Sequence, residues 1–426
     1  MGKQMDHNVV RDKSATYQDF DHNDQGIPAE VWFERYAELR RECPVGKSAR
    51  YGGYWLVTGY PEAAAVIQDT DTFSSRVVTI PPHPQAAPMI PEEIDPPEHR
   101  RYRDVVNRVF SAQVAQERHA EPIRAAVTGL IDDFIEAGHC DAFRSVAVPL
   151  PAFVLTRLLG LPAGDTRTLC DWVERIVHGS ATNPESAFAA AMEQYGYFTE
   201  RLAERRRAGA GGDDVLSVLL RAEPDGVPLS QEELLGYCLT LLVAGVDTTQ
   251  KIIGSIIHHL AEDADLRRKL AADSRLLPRA VEEFVRLWTP VQLGRQITRD
   301  TEIAGCPMKA GDSLLVLTGA TNRDEREFSD ATTFRLDRSP NRHFGFGAHV
   351  HRCLGAHIAR LELRILLEEL LRRIPEFGID REIGSTWLAS QVQGMVRVPI
   401  RFPPGKRLGP PMPELVGLPR PRAPQA

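Results

Sequence analysis

Cys353 stands directly before LGAHIARLELRILLEELLRRI, a run with helical spacing of apolar residues that Pro375 stops. A cysteine at the mouth of a helix has its sulfur beside unsatisfied N–H groups and the positive end of the helix dipole. Both favour the thiolate, the form that binds metals. Gly355 would let a large planar cofactor come close to the backbone, and Phe346 is positioned to pack near the sulfur and exclude water. Taken alone, a cysteine at a helix start is more often a small buried hydrophobe.

A second constellation is AGVDTT, from Ala244 to Thr249, inside a long apolar run. Gly245 costs a helix roughly 1 kcal/mol relative to alanine, and an acid and an alcohol follow in an apolar stretch. Asp247 and Thr248 are adjacent and so do not share a helix face; a local widening would direct both toward one cavity, where they could deliver protons. The alternative is a helix defect in which Thr248 bonds back to a carbonyl and Asp247 is salt-bridged elsewhere. A third pair, Glu283 and Arg286, is spaced i, i+3; on a surface it would contribute only a few tenths of a kcal/mol.

These residues need elements to position them. Ser230 and Glu233 form an S-x-x-E capping box, and the apolar pattern from LLGYCLTLLVAGV to HHLAE predicts a helix of roughly 30 residues, about 45 Å long. Pro278 opens a further helix, PRAVEEFVRLW. GGYWLVTGY reads as strand and turn, PEAAAVIQD as a short helix, and Glu98 to about Gly212 as mainly helices. RQITRDTEIAGCPMKAGDSLLVL alternates like a small sheet, and VRVPIRFPPG adds a strand near the end. VVTIPPHPQAAPMIPEEIDPP is too rich in proline for regular structure, and long ordered loops are often functional.

A chain of 426 residues, 42% hydrophobic and 26% charged, buries a large core. No linker or repeat marks a boundary, so one domain spanning residues 1–426 is expected, with about 1–20 and 405–426 as flexible tails. The net charge of −7 is spread along the chain and argues against a nucleic-acid partner. The polar N-terminus and the lack of a charge-free apolar run of about 18 residues argue against a membrane protein and for a cytoplasmic one. Six cysteines, far apart and without a C-x-x-C pair, indicate neither a zinc site nor a disulfide framework.

FGAHVHRCLG, from Phe346 to Gly355, resembles the cytochrome P-450 cysteine motif F-G-x-G-x-H-x-C-x-G without gaps. His349 stands where the family has its second glycine. Pairing Phe344-Gly345-Phe346-Gly347 with the motif instead needs a two-residue insertion. Ala244-Gly245-x-Asp247-Thr248-Thr249 resembles the family's oxygen-activating segment, EEFVR with FRLDRSPNRH resembles its E-x-x-R and meander arginine, and IDPPEHRRYR resembles the helix start after its mobile loop.

The resemblance implies a mainly α fold with small β-sheets, the cytochrome P-450 fold, with haem b (iron protoporphyrin IX) between the long central helix and the cysteine-loop helix. It implies Cys353 as the axial iron ligand and His99, Arg103, Arg295 and His351 as propionate partners, with Arg100 or Arg101 as substitutes for Arg103. Phe346 and Gly355 would flank the haem, Ala244 and Gly245 would make room for oxygen, and Asp247 and Thr248 would support its protonation. Glu283, Arg286 and Arg338 would form a buried structural network whose rupture costs about 3–5 kcal/mol.

By the same analogy the chain is a monooxygenase that takes electrons from a ferredoxin and its reductase and inserts one atom of O2 into a small to medium hydrophobic substrate. Arg108, Arg352 and Arg360 would form a docking patch. Substrate contacts would come from the loop around Val77–Ile94, the long helix, Val291–Leu293 and the turn around Trp387–Gln393, with Ile90, Val243, Val291, Leu293 and Val392 lining the pocket. A haem-thiolate protein that binds a ligand without turnover is the other reading.

Overall fold

Ser230 opens the longest helix as its capping box requires: its hydroxyl accepts from Glu233 N, and Glu233 Oε2 accepts from Ser230 N at 2.6 Å. In this computed structural model, which describes residues 15–82, 88–178 and 183–409, that helix runs unbroken from Gln231 to Glu262. The helices that frame the site are α1 (Glu98–Asn107), α2 (Pro149–Leu159), α3 (Pro184–Arg207), α4 (Gln231–Glu262), α5 (Leu277–Leu287) and α6 (Ala356–Arg373). Pro278 lies in the first turn of α5, where its missing N–H costs nothing, and α6 ends before Pro375.

α4 packs against α2 on one side and against the strand Gly394–Arg397 on another, while α6 packs against α5 and the helix Ala120–Asp132. Apolar side chains from all of them, including Leu234, Leu242, Ile253, Leu363 and Leu367, form the principal core. A five-stranded sheet lies to one side: β1 (Val45–Ser48), β2 (Tyr54–Val57), β3 (Phe73–Ser74), β4 (Leu293–Ile297) and β5 (Ser313–Val316), in the order β1-β2-β5-β4-β3. Only β2 and β5 pair in parallel, and Val57, Leu314 and Val316 enter a second, smaller core. Among the described residues the remaining strands form two-stranded hairpins and one three-stranded sheet that includes Pro399–Arg401.

The described part of the proline-rich loop is clamped to α4. Ile90 N donates to Gly236 O at 3.4 Å, and a Cβ at Gly236 would stand 2.6 Å from Pro88 O, so only glycine permits this approach. Residues 83–87 of the expected Val77–Ile94 loop lie outside the described residues.

The expectation of flexible tails is corrected at both ends of the described chain; residues 1–14 and 410–426 lie outside it. Tyr17 is fully buried and its hydroxyl donates to Leu39 O at 3.0 Å. Leu408 N and Gly409 N each bond the Asp132 carboxylate at 3.0 Å. An aromatic anchor and a buried carboxylate hold segments whose composition reads as tail.

Candidate active site

The loop before α6 folds back on itself. Gly347 N donates to Phe344 O, Arg352 N to His349 O and Cys353 N to Phe346 O, at 2.9, 3.2 and 2.8 Å. His349 takes up the turn with φ 56, in the left-handed region that glycine fills most easily. Cys353 is thereby brought to the wall of a cavity between α4 and α6 with about 1670 Å³ of atom-free space, its mouth included. The residue is open to that cavity while protein surrounds it on the other sides. Burial pushes its thiol up, and the Gly355 N–H and the guanidiniums of Arg103 and Arg360 act in the opposite direction. A Cβ at Gly355 would meet nothing within 4 Å, so the backbone there borders open cavity.

α4 supplies the facing wall through Ala244, Gly245, Thr248 and Thr249. Thr248 Oγ1 donates to Ala244 O at 2.7 Å, the back-bonding expected of a hydroxyl in mid-helix. The expectation that a widened turn brings Asp247 to the same cavity is corrected. π-type turns occur at Ala115–His119, Phe143–Ala147 and Glu174–His178, but α4 stays α-helical, so adjacent residues diverge. Asp247 is 1% exposed and lies 3.5 Å from Lys251 Nζ, one turn on and equally buried. Lys251 in turn stands 5.3 Å from the Phe143 ring centre.

Cationic and imidazole groups gather at the cavity edge: His99, Arg103, Arg295 and His351 all line it. His99 and His351 meet edge to face at 4.5 Å, and His99 Nε2 is buried without a hydrogen-bond partner. Arg295 is 5% exposed and, among the described residues, donates only to Gly294 O, at 2.6 Å. Arg103 reaches Arg352 O at 2.7 Å, which ties α1 to the cysteine loop. The substitutes considered for Arg103 point elsewhere: Arg100 pairs with Asp104, and Arg101 with Glu233 and Asp225. Two guanidiniums and an unpartnered imidazole nitrogen, beside a cavity walled by a cysteine and apolar side chains, fit a large planar group that carries carboxylates and takes a sulfur ligand.

Behind the loop, Glu283, Arg286 and Arg338 form one network. Arg286 donates to both Glu283 oxygens at 2.9 and 2.6 Å, Arg338 Nε approaches them at 3.0 and 3.1 Å, and Arg286 also reaches Asn322 O and Ala331 O. Burial alone would push the Glu283 carboxyl up, but the bonds from Arg286, Arg335 N and Arg338 hold it below the usual carboxylate range.

A model of the family described as Cytochrome P450 matches residues 174–375. The mycinamicin IV hydroxylase/epoxidase of Micromonospora griseorubida is 35% identical over 380 residues, covering 87% of this chain and 94% of its own. The chain belongs to the cytochrome P450 family. The steroid C26-monooxygenase of Mycolicibacterium smegmatis is 32% identical, covering 87% of this chain and 92% of its own. The crystal structure of CYP101J2 superposes with a TM-score of 0.83 at 28% identity, over 94% of this chain and all of that one. The chain is thus a P450 monooxygenase with the P450 fold and, as its family implies, a haem cofactor and a need for O2 and a redox partner. No described helix is long and apolar enough to cross a membrane.

In this P450 the cavity's apolar lining comes from Val154, Leu155 and Leu158 of α2, Leu241 of α4, and Val291 and Leu293. The expectation for Ile90, Val243 and Val392 is corrected, since none of them lines the cavity. Ile90 packs against Gly236, Val392 pairs backbone to backbone with Val291, and Val243 lies on another face of α4 from Ala244 and Thr248. The α2 contribution was not legible in the sequence, because apolar residues that face a cavity and those that face a core look alike. Two acids at the cavity wall were also missed, Glu92 and Glu362. Burial pushes Glu362 up to about 8.

Arg360 departs from its expected place in a docking patch, because it is bound to Glu282 and covers Phe346. Arg108 and Arg352 are exposed and make no ion pair among the described residues.

Proposed function

We propose that this P450 binds iron protoporphyrin IX through Cys353 and inserts one oxygen atom of O2 into a small to medium hydrophobic substrate in the cytoplasm. In this reading electrons come from a ferredoxin served by a ferredoxin reductase. The observation that carries it is that Cys353 and Thr248 lie on facing walls of one largely apolar cavity whose edge holds Arg103, Arg295, His351 and the buried, unpartnered Nε2 of His99. When bound, the haem supplies the iron on which oxygen is activated.

The chain's own residues do the rest. Cys353 offers a sulfur anion at the end of a hydrogen-bonded loop, and Phe346 keeps water from it. Arg103, Arg295 and His99 meet the propionates, with His351 completing that edge. Thr248 holds a hydroxyl proton at the facing wall, with its oxygen fixed toward Ala244 O. Val154, Leu155, Val291 and Leu293 exclude water from the substrate.

The test is the absorption band of the reduced protein under carbon monoxide, followed by product analysis with ferredoxin and reductase. A thiolate-type band that disappears in Cys353→Ala, and an oxidised product from a ligand that shifts the haem to high spin, are expected. Absence of the band in the native protein would overturn the ligand assignment. One observation favours the second reading, ligand binding without turnover: Asp247 is turned to Lys251 and away from the cavity. Steady consumption of reductant with no oxidised product from any bound ligand would support it.

A further inference from the structure

The loop between the sheet and α1 carries three acids in a short span, and two of them are spent on structure. Glu93 Oε2 accepts from Met89 N at 2.8 Å, closing a turn in which Glu93 N also donates to Met89 O. Asp95 accepts from Ser74 Oγ, Ser75 N and Ser75 Oγ at 2.5, 2.9 and 3.1 Å. Glu92 is different. It lines the cavity, and no hydrogen bond or ion pair reaches its carboxylate from the described residues.

Its backbone is held at both ends. On one side Ile90 N is bonded to α4, and on the other Asp95 holds Ser75, whose hydroxyl contacts His351 Nε2 at 2.9 Å. The segment from Ile90 to Asp95, which carries Glu92, is therefore tied to α4 at one end and to the His351 edge at the other. Burial and the neighbouring Glu93 push the Glu92 carboxyl up while Arg295 acts in the opposite direction, yet Glu92 and Arg295 do not form an ion pair.

The charges at this site set what Glu92 can meet. The cavity wall offers two guanidiniums, Arg103 and Arg295, and the two propionates of a haem claim both. The imidazoles of His99 and His351 add hydrogen-bond capacity without permanent charge. The Glu92 carboxylate, in a wall that also holds Leu155, Leu158, Leu241, Val291 and a second acid, Glu362, is then left without a counter-ion. An uncompensated buried charge is costly, and a cation brought by the ligand would relieve it.

We infer that Glu92 is a specificity-determining residue that receives a cationic nitrogen of the substrate, so that the preferred substrate is an apolar molecule bearing a protonated or quaternary amine. This rests on the monooxygenase reading above, because it takes the guanidiniums to be occupied by haem.

The test compares decyltrimethylammonium, 1-decanol and decanoate, which share one chain length; the quaternary nitrogen cannot ligate iron. Dissociation constants are read by calorimetry and by the spin-state change of the haem-loaded protein. The wild type is expected to bind the cation at least tenfold more tightly than the alcohol, and the carboxylate most weakly. Glu92→Gln is expected to bring cation and alcohol within about twofold, with the alcohol's own affinity unchanged. The inference is overturned if the wild type shows no preference for the cation, including by failing to bind it, or if Glu92→Gln weakens cation and alcohol equally. The second outcome would make Glu92 a hydrogen-bonding or structural group. The carbon monoxide band of the same samples separates the two levels: its absence sinks the haem-thiolate reading itself, whereas its presence without a cation preference sinks only this inference.

Discussion

The guanidinium of Arg360 lies 4.2 Å from the centre of the Phe346 ring and donates to both oxygens of Glu282, at 2.5 and 2.9 Å. Phe346 O accepts the Cys353 N–H, so α6, α5 and the cysteine loop meet at one bracket. Arg360→Ala removes a bidentate ion pair and a cation–π contact together. It is expected to cost about 1–3 kcal/mol, the sum of a partly exposed pair and a partly desolvated ring contact. Thermal melts of the haem-loaded protein check this, and Arg360→Lys should recover only part of the loss, since an ammonium cannot reproduce the planar fork.

The same bracket gives a pH dependence. Burial would raise the Glu282 carboxyl, but its bonds to Arg360 and His343 bring it down to about 2. A folded-state value below the unfolded one means that the group adds stability above the unfolded carboxyl range, near pH 4.5, and loses it as pH falls toward 2. About a third of the side chain is exposed, so solvent screening limits the contribution to about 1–2 kcal/mol. Denaturant titrations at pH 6, 4 and 3 should show a decline that Glu282→Gln makes shallower; an unchanged slope in the variant would remove Glu282 from this role.

What the sequence revealed, and what it hid, follows from the range of the interactions. The capping box of α4, the proline starts and the cysteine loop are local devices, and each appears where its residues stand. The Glu283 network needed only the i, i+3 spacing plus a resemblance for Arg338. Thr248 reached the cavity as expected, but Asp247 was misplaced because the bonding of a helix backbone decides whether a turn widens, and nothing in AGVDTT reports that Lys251 waits one turn on to pair with the acid. Glu92 was invisible for a similar reason: three acids in one loop look alike until the hydrogen bonds show which are spent.

Thr248 and Asp247 occupy different environments, so their removal should read out differently. Thr248→Ala deletes a hydroxyl on the cavity wall whose hydrogen bond lies within its own helix. The fold and the carbon monoxide band should be retained, while product formed per reductant consumed falls several-fold. Product and reductant counts that stay in the native ratio would take Thr248 out of proton delivery.

Asp247 and Lys251 are each 1% exposed, which turns their substitution into a question of buried charge. Lys251→Met leaves a buried carboxylate facing lost compensation, and Asp247→Asn does the same to the ammonium; either should cost about 3–5 kcal/mol. The double variant removes both charges and should recover a substantial part of the loss, a coupling that two unrelated sites would not show. Urea unfolding of the four proteins measures the cycle, and additive single losses would mean that the pair does not act as a unit.

His349 concerns backbone strain, because its φ of 56 places a non-glycine residue in the left-handed region while its side chain is exposed. That conformation costs an ordinary L-residue about 1–2 kcal/mol, and less for histidine, which tolerates it better than bulky residues do. Glycine would remove the strain but adds roughly 0.5–1 kcal/mol of unfolded-chain entropy, so the two effects nearly cancel. His349→Gly is therefore expected to change stability by less than about 1 kcal/mol, in the stabilising direction if in either. His349→Val should lose about 1–2 kcal/mol, since a β-branched side chain meets the left-handed conformation at its worst. Equal stability for the glycine and valine variants in thermal melts would show that the loop has another way to turn before Cys353.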